Sequence, residues 1–292
     1  MTKILVTGSA GLVGRQIVKD LSEKKFDVYS CYNEERSEFG IPTKFNLSKK
    51  EEIIDKLNII KPEIIIHLAA MTNVDQCEKE KDLATLINTK ATEILVQESV
   101  KHNIFFVYMS TDYVFDGKVG MKNENDIPSP LNHYGKTKLE GEIILKKLLS
   151  RYAIVRTSTP FGIHPKKKSF PMWVKENLEL KKEIPVITNQ YTSPTFVPNL
   201  SKMVIEVATK QISGILHLAG STRISRFEFA KRIANKLNLD EGLLKPKQID
   251  DMNWTAKRPH DSSLDVSKAM EILENKPLKI DSSLELFINQ IT

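Results

Sequence analysis

The sequence predicts an α/β fold built around a doubly wound parallel sheet, and two observations lead to this class. In the first half, short apolar segments alternate with longer segments that have helical periodicity, and this alternation is typical of parallel sheets. The segment PEIIIHLAA (residues 62–70) is apolar almost without interruption, as expected of a strand that helices cover on both faces.

The first half predicts strands that helices connect in regular alternation. Ser48 is expected to cap the second helix, with Glu51 completing a capping box. Asn132 is expected to cap the helix that carries Tyr134. The predicted strands are residues 3–8, 26–32, 62–70, 103–112 and 152–158, and the predicted helices are residues 11–24, 48–61, 82–102 and the segment from Tyr134.

The second half is less regular, and prolines punctuate it. It predicts a smaller C-terminal α/β substrate lobe that packs against the sheet. We expect the sheet domain to span residues 1–160, rejoined by about residues 186–220, and the lobe to consist of residues 161–185 and 221–292. The predicted helices here are residues 170–182, 198–210 and 225–238, and the predicted strands are residues 184–188 and 214–220.

Composition excludes several classes of protein. The 292 residues carry a formal net charge of +6, but the lysines occur in short scattered runs. Such runs are typical of solvated surface, so we predict no nucleic-acid partner. The apolar runs are too short to cross a bilayer, and the start lacks signal-peptide features. Cys31 and Cys77 have neither disulfide nor metal-site spacing. We expect a cytoplasmic protein with no membrane partner and no metal.

A glycine loop predicts a dinucleotide cofactor. The segment VTGSAGLVG places Gly8, Gly11 and Gly14 between the first strand and the first helix. Such glycines let the backbone approach a pyrophosphate, which the helix N-terminus then binds. The sheet domain is therefore predicted to be a Rossmann-type NAD(P)-binding domain. No acid directly ends the second strand, and Arg36 follows it. Arg36 could bind the 2′-phosphate of NADPH, and this favours NADPH as the cofactor. A surface role for Arg36 stays open, and so does NADH as the cofactor.

A second group of residues predicts carbonyl reduction. Thr111 ends a strand in MSTDYVFDG, and Tyr134 and Lys138 share one helix face in YGKTKLEGE. Strand carboxyl ends line the ligand crevice of a doubly wound sheet. Reduction by hydride leaves an alkoxide that needs a proton. We expect Tyr134 to supply this proton, with its pKa lowered by the Lys138 ammonium together with the positive charge of the oxidised nicotinamide, and Thr111 to orient the carbonyl oxygen.

Together these segments resemble the dTDP-4-dehydrorhamnose reductase family of the extended short-chain dehydrogenase/reductase superfamily. HLAAMTNVDQCE, STDYVFDG, PLNHYGKTKLEGE, VRTS and RPHDSSLDVSK occur in that family's order, and the resemblance runs from residue 3 to about residue 270. It implies NADPH-dependent reduction of the 4-keto group of a dTDP-sugar, with Thr111, Tyr134 and Lys138 at the catalytic positions.

Further residues are predicted to bind the cofactor and the nucleotide sugar. Asn46 stands where the family commonly has aspartate, and Thr159 stands where the family's segment RTSWVYG has tryptophan. Arg258 is a candidate for a substrate phosphate, because arginine binds phosphate bidentately. The predicted cofactor-binding residues are Gly8, Gly11, Leu12, Val13, Gly14, Arg36, Asn46, Leu47, Ala69, Ala70, Thr72, Tyr134 and Lys138, and the predicted substrate-binding residues are Asp112, Tyr113, Thr159, Gln190, Thr195 and Arg258.

Two other functions stay open. The segment NENDIPSPLNHYGKTKLEGE also resembles the regulatory β subunit of methionine adenosyltransferase, a relative that binds NADP and acts through a partner. A reductase or epimerase of another sugar nucleotide fits the same residues. The intact threonine, tyrosine and lysine favour an enzyme, because a binding protein does not need them. A homodimer is compatible with the sequence.

Overall fold

The computed structural model of the chain describes residues 1–291. Its first half alternates strands and helices, as the hydrophobic pattern predicts. The elements are β1 (Lys3–Thr7), α1 (Leu12–Ser22), β2 (Asp27–Tyr32), β3 (Ile41–Lys44), α2 (Lys50–Ile60), β4 (Ile64–His67), α3 (Val74–Lys79), α4 (Lys81–Thr85), α5 (Ala91–His102), β5 (Phe105–Thr111), α6 (His133–Leu148) and β6 (Tyr152–Thr157).

The second half has shorter strands, several of which pair only with one another. Its elements are β7 (Pro160–Phe161), α7 (Phe170–Glu179), β8 (Ile184–Ile187), β9 (Tyr191–Thr192), β10 (Thr195–Phe196), α8 (Val197–Thr209), β11 (Gly214–His217), β12 (Ile224–Ser225), α9 (Arg226–Lys236), β13 (Leu244–Lys247), α10 (Ser267–Ile272) and α11 (Ile280–Ile288).

The central sheet has seven strands, all parallel, in the order β11-β6-β5-β4-β1-β2-β3. The chain winds outward in one direction from β1 to β3 and in the other from β4 onward, which confirms the predicted fold class. In such a sheet, ligands bind beyond the strand carboxyl ends beside this switch point. A site is therefore expected next to Thr7, His67 and Thr111, the last residues of β1, β4 and β5.

Apolar strands explain why helices cover both faces of the sheet. Every residue of β4 and β5 is buried. One face packs against α1 and α8, and the other packs against α2, α5 and α6. A separate core joins α7, α9 and α11, where Phe161 contacts Phe229 and Phe287. The domain boundaries stated above remain our proposal. Within residues 1–291, no helix is both long and apolar enough to cross a membrane.

Two local predictions differ from the structure. The capping box at Ser48 is wrong, because α2 begins at Lys50 and the Ser48 amide and hydroxyl both donate to Asn46 Oδ1, at 2.9 and 2.8 Å. The asparagine side chain competes for these donors and forms a turn instead of a helix cap. The helix predicted over residues 82–102 contains a π-helical turn, Leu86–Lys90, between α4 and α5.

Candidate active site

One cavity of about 960 Å³ lies at the carboxyl end of the central sheet. It extends from the glycine loop after β1, past the N-terminus of α6, to the start of α9. Four predicted site residues do not line it: Arg36, Gln190, Thr195 and Arg258. The predicted residues on its wall are Gly8, Gly11, Leu12, Val13, Gly14, Asn46, Leu47, Ala69, Ala70, Thr72, Thr111, Asp112, Tyr113, Tyr134, Lys138 and Thr159.

The glycine loop meets the cavity with backbone atoms. Gly8 has a φ of +66°, and a Cβ there would lie 2.8 Å from the Ala69 nitrogen, so this turn requires glycine. Gly11 is the N-cap of α1, which has no side-chain cap and no acid in its first turn. Leu12 and Val13, the first residues of α1, belong to the cavity wall. Free N–H groups and a positive helix end therefore fit a dinucleotide pyrophosphate.

The far end of the cavity lies beside the end of β2, where Asn46 and Leu47 line it. Arg36 is exposed and lies outside the wall. Lys167, from the loop before α7, lines the wall instead. Sequence reasoning missed Lys167 because the fold, and not the local sequence, brings its loop next to β2.

Two contacts hold the Lys167 loop against the cofactor end. The His164 ring is hydrogen-bonded through Nε2 to the Ala10 carbonyl at 2.9 Å, and its Nδ1 accepts from the Lys167 amide at 2.9 Å. Lys166 forms an ion pair with Glu35 at 2.9 Å. The loop therefore joins the predicted lobe to the glycine loop and to the segment after β2.

A buried hydroxyl anchors the loop after β4. Thr7 Oγ1 accepts from the Leu68 and Ala69 amides at 3.1 and 3.2 Å, and it lies 2.7 Å from His67 Nδ1. Burial lowers the pKa of His67 to about 3, so this imidazole is neutral. These contacts fix the backbone that places Ala69 and the residues after it on the cavity wall.

The start of α6 carries the catalytic candidates. The predicted Asn132 cap is confirmed, because its Oδ1 accepts from the Gly135 amide at 2.9 Å. A Cβ at Gly135 would lie 2.2 Å from the Tyr113 carbonyl oxygen, so glycine is needed for this close approach. The Tyr134 and Tyr113 ring centres are 6.3 Å apart, and Thr111 is hydrogen-bonded to Tyr134.

Burial dominates the electrostatics of this group. It raises the pKa of Tyr134, with the Thr111 hydrogen bond acting in the opposite direction. In the chain itself the predicted lowering of this pKa is therefore wrong in direction, because burial outweighs the Thr111 hydrogen bond. Burial also lowers the pKa of Lys138 to about 7, opposed by Glu142. The Lys138 Nζ lies 4.0 Å from the centre of the Tyr108 ring. At neutral pH Tyr134 carries its proton, as a proton donor must.

A buried ion pair stands behind the catalytic helix. Arg156 Nε and its terminal NH2 donate to the two carboxylate oxygens of Glu142 at 2.9 and 2.7 Å. Ser110 donates to the same carboxylate at 2.6 Å. These contacts tie α6 to β5 and β6. Sequence reasoning missed the pair; its signal was Arg156 inside the motif VRTS and Glu142 at the end of KLEGE.

The substrate end of the cavity is walled by Asp112, Tyr113 and Thr159. Thr159 has a φ of +40°, which β-branched residues rarely adopt, and its hydroxyl lies 2.6 Å from the Thr192 hydroxyl. Thr195 is fully buried, and its hydroxyl donates to a backbone carbonyl. The structure thus brings Thr159 to the cavity and gives Thr195 a place in the packing behind it.

Arg258 is engaged elsewhere in the structure. Its guanidinium donates to both carboxylate oxygens of Asp75 at 2.7 and 2.8 Å and lies 4.7 Å from the Trp254 ring centre. Arg258 thus pairs with Asp75 and does not line the cavity wall, and its contact with a substrate phosphate stays a prediction.

Arg226 is a second arginine near the substrate end, which sequence reasoning missed. It lines the substrate end of the cavity at the start of α9. Its Nε donates to Gln190 Oε1 at 2.8 Å, and its guanidinium lies 5.4 Å from the Phe170 ring centre. Gln190 is therefore behind the wall, where it contacts an arginine.

Comparison with known proteins places these features in a family. A family model described as the RmlD substrate binding domain matches residues 1–292. A dTDP-4-dehydrorhamnose reductase of Aggregatibacter actinomycetemcomitans is 31% identical over 293 residues, covering 95% of each chain. Methionine adenosyltransferase 2 subunit beta of Xenopus tropicalis is 30% identical over 278 residues, covering 92% of this chain and 82% of that protein. The crystal structure of dTDP-4-dehydrorhamnose reductase from Bacillus anthracis in complex with NADP has a TM-score of 0.89 and 30% identity, covering 99% of this chain and 100% of that one.

Proposed function

The chain belongs to the RmlD substrate binding domain family, and on that premise we propose that it is an NADPH-dependent reductase. Its substrate is dTDP-4-dehydrorhamnose, whose 4-keto group it reduces to give dTDP-L-rhamnose. One observation carries the proposal: a single cavity joins an uncapped helix N-terminus to Thr111, Tyr134 and Lys138. Such a cavity has one region for a dinucleotide and another for a keto sugar.

The cofactor end acts mainly through backbone groups. The amides of Leu12 and Val13 bind the pyrophosphate at the start of α1. Ala69 and Thr72 hold the nicotinamide ribose together with Lys138. The nicotinamide, when bound, supplies the hydride. The residues of this chain therefore have to bind and orient the cofactor and to deliver a proton.

Tyr134 delivers the proton that the reduced carbonyl oxygen needs. Its O–H bond breaks as the O–H bond of the new alcohol forms, and a phenolate remains. The hydroxyl of Thr111, which is hydrogen-bonded to Tyr134, stabilises that phenolate. Lys138 adds a positive charge when protonated, and such a charge acts strongly in a site that excludes water.

Arg226 supplies a cation at the substrate end. Within residues 1–291, its side chain donates one hydrogen bond, from Nε to Gln190, so its terminal nitrogens remain for the diphosphate of a nucleotide sugar. Phe170 and Gln190 hold the guanidinium in place. A cation that is already positioned loses less conformational entropy on binding.

The proposal is tested by NADPH oxidation with dTDP-4-dehydro-6-deoxy-L-mannose, compared with UDP- and GDP-linked keto sugars. We expect turnover with the dTDP-sugar and a product identified by NMR as dTDP-L-rhamnose. Turnover with only another sugar nucleotide would support the alternative substrate. No turnover, together with stable co-elution with a methionine adenosyltransferase, would support the regulatory-subunit function instead.

The cytoplasmic location and the homodimer stay predictions. Light scattering of the purified chain would distinguish a homodimer from a monomer.

A further inference from the structure

We propose that Asp112 is a positioning residue that holds the hydrogen of the Thr111 hydroxyl until Tyr134 has given up its proton. The inference rests on the proposed reductase function and adds a role that differs from the predicted contact with the sugar. Asp112 directly follows β5 and belongs to the cavity wall, yet only 4% of it is exposed.

Hydroxyl groups surround the Asp112 carboxylate. Thr111 Oγ1 donates to Oδ1 at 2.9 Å, and Ser158 Oγ donates to Oδ2 at 2.7 Å. Ser262 is a third hydrogen-bonding partner. Among residues 1–291, no lysine, arginine or histidine pairs with this carboxylate. Burying a carboxylate without a cation is unfavourable, and such groups concentrate at functional sites.

The environment of Asp112 is polar but uncharged. Burial raises its pKa, and the three hydroxyl contacts act in the opposite direction. The titratable groups that face it are Tyr134 from α6 and Tyr113 from its own loop. Hydrogen-bond donors, and not a counter-ion, therefore surround this carboxylate, and it can exchange one donor for another.

Counting hydrogens on Thr111 shows what the carboxylate does. A threonine hydroxyl has one hydrogen and two lone pairs. Thr111 donates its hydrogen to Asp112 and accepts from the Tyr113 amide at 3.2 Å. One lone pair remains for Tyr134, to which Thr111 is also hydrogen-bonded. While its hydrogen points to Asp112, Thr111 can only accept from Tyr134, and Tyr134 stays the donor.

The same contacts permit a rearrangement after proton transfer. When the Tyr134 O–H bond breaks and the alcohol O–H bond forms, the phenolate oxygen becomes an acceptor. The Thr111 hydrogen then turns from Asp112 to the phenolate, while Ser158 and Ser262 stay bonded to the carboxylate. No covalent bond to Asp112 forms or breaks. The carboxylate can release one donor because two others remain.

Asp112→Asn tests this role, because its amide keeps the shape of the side chain but donates towards Thr111. We expect kcat to fall roughly 10-fold or more, as for a disturbed proton transfer, with KM for the sugar unchanged. The solvent deuterium isotope effect on kcat should rise above that of the wild type. The control Asp116→Asn lies in the same loop, where Asp116 accepts from the Lys118 amide at 3.1 Å, and should change neither quantity.

Ser158→Ala is a second test that does not depend on the folding of Asp112→Asn. It removes one competing donor, so the carboxylate should hold the Thr111 hydrogen more tightly. We expect a lower kcat and a larger solvent isotope effect, with the Kd for NADPH from fluorescence titration unchanged. An unchanged isotope effect in these folded variants, or a rise in KM alone, would overturn the proposal. Failure of the wild type to oxidise NADPH with any keto sugar would instead contradict the reductase function.

Discussion

The two ends of the cavity are built in different ways. At the cofactor end, the turn at Gly8 and the free amides of α1 present backbone to the ligand. At the substrate end, Thr159 and Arg226 present side chains that partners from other segments hold. Local sequence is enough to specify a backbone turn. A side-chain site depends on which distant partner each residue meets in the fold.

The largest effect is expected between the two ends, at Tyr134. Tyr134→Phe removes the proton donor and should lower kcat at least ~100-fold, with the Kd for NADPH unchanged. Steady-state kinetics and fluorescence titration measure the two quantities. Tyr152→Phe, at the start of β6 and outside the cavity wall, is the matched control and should behave as the wild type. If Tyr134→Phe kept wild-type kcat, another group would have to deliver the proton.

A substitution at Arg226 should affect only the substrate end. A hydrogen bond to a charged group contributes about 1.5–3 kcal/mol, so Arg226→Gln should weaken binding of dTDP about 10- to 100-fold in titration calorimetry. NADPH binding should not change. Arg223→Gln is the control, because Arg223 pairs with Asp261 and lies outside the wall. Equal losses in both variants would show that general surface charge, and not the position of Arg226, attracts the nucleotide.

A charge at Gly11 should affect only the cofactor end. Gly11→Asp and Gly11→Asn both add a side chain that can cap α1, but only aspartate adds a negative charge where the pyrophosphate binds. We expect the Kd for NADPH to be about tenfold higher in Gly11→Asp than in Gly11→Asn, a difference of ~1.4 kcal/mol. Equal Kd values would mean that this helix N-terminus does not bind an anion.

Substitution of Lys167 tests how the cofactor end distinguishes NADPH from NADH. Loss of one exposed charge contact contributes up to ~1 kcal/mol, so Lys167→Ala should raise the Kd for NADPH about fivefold and leave the Kd for NADH unchanged. Lys168→Ala is the control, because Lys168 pairs with Glu176. Arg36→Ala is the competing variant. A selective loss of NADPH affinity in Arg36→Ala alone would favour the role predicted for Arg36 from the sequence.

The smallest effect is expected on stability, at Lys138. Its pKa falls from 10.5 to about 7 in the folded chain, so the unfolded state binds more protons between these pH values. The contribution of Lys138 to wild-type stability should therefore rise with pH across this window. Lys138→Met buries no charge, and its Tm should exceed that of the wild type by ~2 °C or more below pH about 7. Thermal denaturation should show this difference shrinking towards pH 10.5. A difference that did not vary with pH would contradict the account.

The sequence features that predict the fold and the cofactor end are local. The continuous apolar segment at residues 62–70 specifies a strand buried on both faces, and the glycines of residues 6–14 specify a turn into a helix. Arg258 shows the limit of prediction from local sequence. Its partner Asp75 is 183 positions away in the chain, and no sequence feature near either residue predicts the pair. The pKa of Tyr134 shows a second limit, because the direction of its shift depends on how deeply the side chain is buried. The roles of the site residues stay predictions until they are tested.

The central claim is that this chain transfers a hydride from NADPH to C4 of a dTDP-linked keto sugar. Its most direct test is NMR of the product formed from NADPH that carries deuterium at the nicotinamide C4, with each face labelled in turn. The account predicts that deuterium from one face appears at C4 of the sugar. Sugar product without deuterium from either face, or cofactor that remains unoxidised, would contradict it.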